Sequence, residues 1–111
     1  MEKVEAANRL GLAWVDARNA RNRGAVEGLF CEDGTWETES PPPTGVILRG
    51  RQAIGEWVGA QEGTAPRLEV EEVIGLGFRG LVRFREAGVR KVAVVQLRGG
   101  LIGNLAVYTK G

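Results

Sequence analysis

The chain has 111 residues, 43% hydrophobic and 26% charged, a balance that fits one soluble domain with a single core over residues 1–111. With 15 Lys and Arg against 14 Asp and Glu the net charge is +1, so no global field recruits nucleic acid or an anionic membrane. The single cysteine, Cys31, rules out an internal disulfide, the lack of histidine removes the commonest acid–base group and metal ligand, and no apolar run marks a signal peptide or nears the roughly 20 residues of a membrane span; the expectation is a cytoplasmic protein without metal or cofactor.

Glu2 to about Arg21 reads as an amphipathic helix. Val4, Ala7, Gly11 and Trp14 form one stripe with Leu10 and Ala17 beside it, while Glu2, Glu5, Arg9, Asp16 and Arg18 make the polar face. Asn22 is placed to cap a short helix from Arg23 to Phe30, because its side-chain oxygen can accept from an exposed backbone N–H of the next turn. After Glu32, Asp33 and Gly34 the period changes to the alternation of Thr35 to Glu39, which predicts a strand with Trp36 and Thr38 inward and Glu37 and Glu39 outward. Pro41, Pro42 and Pro43 cannot donate ladder hydrogen bonds, so the strand stops before them and a loop runs to about Ile47. Gly50 then opens a third helix, Arg51 to about Gln61, with Ala53, Ile54, Trp57 and Val58 at helical spacing and Gly63 and Pro66 past its end.

Everything after Arg67 reads as sheet. Leu68, Val70, Val73, Ile74 and Leu76 mark a long strand, bent or bulged at Gly75 and Gly77; Leu81, Val82 and Phe84 mark the next. Arg83 and Arg85 share a face and are expected to pair across strands with Glu69 or Glu71. Ala87-Gly88 and Gly99-Gly100 are the hairpin turns, the second strongly marked because both glycines tolerate positive φ. Between them, Lys91 to Leu97 has two apolar faces: Val92, Val94 and Gln96 on one, Ala93, Val95 and Leu97 on the other. A strand with water on one side should alternate apolar with polar, and the helices can cover only one face. A homodimer through Val92, Val94 and Gln96 supplies the second cover; the alternative is a monomer that exposes two valines.

The order of Trp14 to Glu37, Gly50 to Trp57 and Gly99 to Tyr108 resembles the SnoaL-like branch of the NTF2-like (nuclear transport factor 2-like) superfamily. That resemblance implies an α+β cone in which a curved antiparallel sheet wraps three N-terminal helices, commonly as a homodimer. It also says little about activity, because the fold carries enzymes, binding proteins and dimerisation modules. In ketosteroid isomerase, a member of the superfamily, a strand carboxylate abstracts the proton while a tyrosine and a protonated aspartate stabilise the enolate. By the resemblance Thr38 stands where the base would be, Trp14 where the tyrosine would be, and Ala93 at or near the late acid, so that chemistry is disfavoured. The epoxide hydrolases of the superfamily use two aspartates bridged by an arginine, but here the only aspartates are Asp16, on the solvent side of helix one, and Asp33, at the acidic corner.

Trp14, Trp36 and Trp57 come from the three elements that, by the resemblance, surround the cone's cavity, and a cluster of large amphipathic rings suits a flat apolar ligand. The expected pocket is Trp14, Trp36, Thr38, Trp57, Ala93 and Val95, in a protein that binds a small apolar or aromatic molecule. Two alternatives stand beside it: an isomerase, cyclase or hydrolase of the SnoaL-like type, which requires an inward carboxylate, and a dimerisation module whose tryptophans simply fill the core. Cys31 reads as a small buried hydrophobe, and no glycine-rich phosphate loop precedes a helix.

Overall fold

The computed structural model describes residues 2–40, 46–61, 66–76 and 79–109, with side chains from residue 6 onward except those of 39, 40 and 76. Pro41 to Pro43, Gly63 and Gly77, and the side chains of Glu2, Val4, Glu5, Glu39 and Leu76, lie outside the described residues. Among those described, no helix is long and apolar enough to cross a membrane.

Helix α1, Glu2–Asn19, buries Ala7, Gly11, Trp14, Val15 and Ala17, the set that its i, i+4, i+7 spacing brings onto one face. It lies close against the sheet because its contact residues are small: a Cβ on Gly11 would sit 2.6 Å from Val82, and one on Gly80 would sit 3.2 Å from Ala7. Arg21, at φ 56, turns the chain into helix α2, Arg23–Leu29, which is capped as expected by the Asn22 side-chain oxygen accepting from the N–H of Ala25. The end of α1 is fastened by a side chain. The Asn19 amide donates to the Leu68 carbonyl at 2.9 Å and its oxygen accepts from the Leu68 N–H at 2.7 Å, imitating a strand's backbone pair.

Strand β1, Phe30–Ser40, begins directly at the end of α2 rather than at Thr35. Its pairing is irregular between Phe30 and Thr35, and that irregularity absorbs the non-alternating Cys31 to Gly34 that hid the early start of the strand. Cys31 is consequently half-buried, not a core residue, and its thiol donates to the Arg98 carbonyl at 3.2 Å. A short strand unmarked in the sequence, β2, Ile47–Arg49, pairs with β1, and helix α3, Arg51–Ala60, follows Gly50, whose φ of 90 suits glycine. Arg51 holds the start of α3 to β1 by donating twice to the Phe30 carbonyl, at 2.7 and 3.2 Å.

Strands β3, Leu68–Leu76, β4, Arg79–Glu86, β5, Val89–Arg98, and β6, Leu101–Thr109, form the expected meander. The sheet order is β2-β1-β6-β5-β4-β3, and it is mixed rather than wholly antiparallel, because β1 runs parallel to β6. A parallel neighbour needs a long connection, and β1 and β6 are separated by every other strand and by α3. The bulge of β3 falls between Val70 and Glu72, not at Gly75, which pairs in register with Gly80. That bulge sets the ion pairs: Arg85 meets Glu71 at 2.9 Å as expected, while Arg83 meets Glu72 at 2.6 Å in place of Glu69. The core lies between the helices and the inner face of the sheet, and it includes Trp14, Trp36, Phe30, Phe84, Val82, Ala93, Val95 and Leu105.

Candidate functional site

Between α1, α3 and the inner face of the sheet lies a cavity of about 380 Å³. Its wall is aromatic and aliphatic, with Trp36 from β1, Trp57 from α3, Phe84 from β4 and Val107 from β6. The exposed residues Pro66, Ala87 and Val89 make its rim. Its polar groups are Thr38, Gln61, Arg18, Glu86 and Lys91.

Arg18 is the residue that the helical pattern misplaces. Expected on the polar face of α1, its side chain is only 8% exposed. The core-facing series of the helix runs 7, 11, 14, 15, 18, so position 18 follows Trp14 by one turn and continues the apolar stripe into the cavity. The guanidinium stands 5.4, 5.3 and 5.6 Å from the ring centroids of Trp14, Trp36 and Trp57. The electron-rich faces of these rings attract the cation. Trp36 organises the cluster: it meets Trp14 edge-on at 5.4 Å, Trp57 edge-on at 4.9 Å, and stacks on Phe30 at 6.3 Å.

Glu86 answers the guanidinium, its Oε2 3.6 Å from Arg18 and its Oε1 2.8 Å from Lys91. Burial pushes the Arg18 pKa down, and the Glu86 carboxylate partly restores it. At 3.6 Å the contact is an ion pair and not a hydrogen bond, so among the described residues no acceptor takes the Arg18 N–H groups. Among the described residues the buried indole N–H groups of Trp14 and Trp36 also have no partner. Thr38 is already engaged, since its hydroxyl donates to the Val46 carbonyl at 3.2 Å and accepts from the Val46 N–H at 3.0 Å.

Of the six residues expected at the pocket, Trp36, Thr38 and Trp57 stand on this wall, while Trp14, Ala93 and Val95 are fully buried in the core behind it. Trp14 reaches the wall only through its edge-on contacts with Trp36 and with Phe84, the latter at 5.7 Å. Arg18, Phe84, Glu86 and Lys91 were missed. Phe84 and Glu86 share the inward parity of β4 with Val82, so strand alternation would have found them; Lys91 lies only five residues from Glu86 across the hairpin, while the Arg18–Glu86 pair joins residues far apart in sequence and has no local signal. Asp16 and Asp33 are exposed, and Asp33 is paired with Arg98, so they do not come together as a water-activating pair. Among the described residues no cluster of metal-ligating side chains occurs. A more open hollow beside α3 is lined by Glu27, Glu32, Arg49 and Arg51, but Arg51 is committed there to the Phe30 carbonyl.

Neither a family model nor a curated protein matches the sequence. Solved structures do. An NTF2-like protein of unknown function from Mesorhizobium loti is 25% identical and superposes with a TM-score of 0.81 over 98% of this chain and 94% of its own. A SnoaL-like protein of unknown function from Burkholderia thailandensis, 15% identical, gives 0.80 over 96% of both chains. An LEH-like epoxide hydrolase from M. tuberculosis, 15% identical, gives 0.77 over 96% of this chain and 84% of its own.

Proposed function

We propose that this chain, which has the NTF2-like fold, binds a small apolar or aromatic molecule in the cavity behind Trp36 and Trp57. The observation that carries the reading is the cavity itself: about 380 Å³ of space walled by Trp36, Trp57, Phe84 and Val107 in an otherwise packed core. Calorimetric titration with a neutral bicyclic aromatic, 1-naphthamide, is expected to give saturable binding with one site per chain. Val89→Trp, a change at a position 43% exposed on the rim, is expected to weaken that binding at least tenfold without unfolding the protein. No heat from the parent protein at millimolar ligand would sink the reading.

A second reading is catalytic, and one residue favours it. Glu86 is the inward carboxylate that an isomerase, cyclase or hydrolase would need. Both of its oxygens already face cations, Arg18 and Lys91, which leaves it poorly placed to take a proton from a substrate. Binding therefore stays the first reading.

We further infer a homodimer through the outer face of the sheet. Val92, Val94 and Gln96 all lie on that face, and Ile74, Leu81, Val94 and Ala106 stand in register across β3, β4, β5 and β6 as one apolar row. Such a row suits a second copy of itself. The lone Cys31 and the balanced charge suit a reducing cytoplasm and neither nucleic acid nor membrane as partner.

A further inference from the structure

We propose that the molecule taken up by this cavity carries a carboxylate, and that Arg18 is the group that receives it. The inference rests on the binding reading above and adds the chemical class of the ligand. It starts from how the guanidinium is satisfied. The faces of Trp14, Trp36 and Trp57 stabilise its charge, but a ring face accepts almost nothing from an N–H, and five N–H groups in a planar fork still need acceptors. Among the described residues Glu86 is the nearest partner, and at 3.6 Å it contributes charge without a hydrogen bond; the guanidinium nitrogens are not among the buried unpartnered atoms and open onto the cavity. A guanidinium that lines an apolar cavity without a hydrogen-bonded acceptor is a ready receiver for a ligand that brings oxygen to it.

The groups around it point to an anion and not merely to a polar atom. The wall carries two cations, Arg18 and Lys91, against one carboxylate, Glu86. A planar carboxylate matches the guanidinium fork with two parallel hydrogen bonds, while its aromatic body lies against Trp57 and Phe84. Glu86 does not block this arrangement. Its hydrogen bond is to Lys91 at 2.8 Å, so an incoming carboxylate can take Arg18 and leave Glu86 paired. Glu86 thus stands as a weak internal competitor for the site.

The test compares matched probes, 1-naphthoate, 1-naphthamide and 1-naphthylmethylammonium, by calorimetry on the parent protein and on Arg18→Met and Glu86→Gln. The parent is expected to bind naphthoate at least tenfold more tightly than naphthamide, and the ammonium more weakly than either. Arg18→Met should abolish the preference of naphthoate over naphthamide. Glu86→Gln, which keeps the shape of the side chain and removes the competing charge, should raise the preference for naphthoate over naphthamide about tenfold; it carries the test if Arg18→Met does not fold. Equal binding of acid and amide, tighter binding of the ammonium, or a smaller preference for naphthoate in Glu86→Gln overturns the carboxylate inference alone. Failure of all three probes to bind overturns the cavity reading, and this inference falls with it.

Discussion

Arg18 sits where a stability-minded core would place a hydrophobe. Its burial depresses the guanidinium pKa, and the sign of the linkage follows from that direction. A cation whose folded pKa lies below its unfolded value subtracts from stability at every pH below the folded pKa, and the loss fades only as pH rises through that alkaline value. A guanidinium keeps its charge near neutral pH in both states, so no stability transition is expected there from this residue. Arg18→Met removes the buried charge, fills the same slot among the tryptophans, and leaves Glu86 its 2.8 Å partner Lys91. The expected change in unfolding free energy is within about 1 kcal/mol and on the stabilising side, since a buried ion pair is often matched by a hydrophobe of similar volume. Trp36→Ala, at a position 1% exposed, should by contrast cost about 3–5 kcal/mol. Denaturant melts of the two variants decide the matter: if Arg18→Met loses as much as Trp36→Ala, the arginine is structural.

At the level of elements, the hairpins show what local chemistry dictates. Ala87-Gly88 and Gly99-Gly100 all lie at positive φ, between 53 and 82, as two-residue turns with a matching twist require. A Cβ on Gly100 would meet nothing within 4 Å, so Gly100→Ala should cost about 1 kcal/mol through backbone strain alone, whereas Gly11→Ala adds a clash with Val82 and should cost more. A thermal melt in which Gly100→Ala matched the parent would show that the turn tolerates a side chain. Such turns, the Asn22 cap and the alternation of β5 were legible in the chain because each is decided by neighbours within a few residues. Three features were not. β1 was read five residues short because its bulge breaks the period of two; β2 is held by pairing with β1 and has little signal of its own; and Arg18 looks like any surface arginine until the tryptophans of two other elements surround it.

For the molecule as a whole, the row of half-buried Ile74, Leu81 and Val94 with buried Ala106 lies on the face of the sheet away from the helices. If two copies share it, light scattering behind a sizing column should report twice the chain mass, and Val94→Glu should halve it while the Arg18 cavity, on the opposite face of the sheet, keeps its ligand affinity. A parent protein of single-chain mass would end the dimer reading. The parallel contact of β1 with β6 has another consequence, for the order in which a ribosome delivers the chain. Phe30 and Trp36 leave the exit tunnel well before the strand that lies along them, which follows α3 and β2 to β5 in the chain. Val107 on that strand also completes the cavity wall. A nascent chain halted between Arg49 and Leu101 therefore presents Phe30 and Trp36 on a strand with one edge unpaired, and that edge must be shielded by local collapse or by a chaperone until β6 is made.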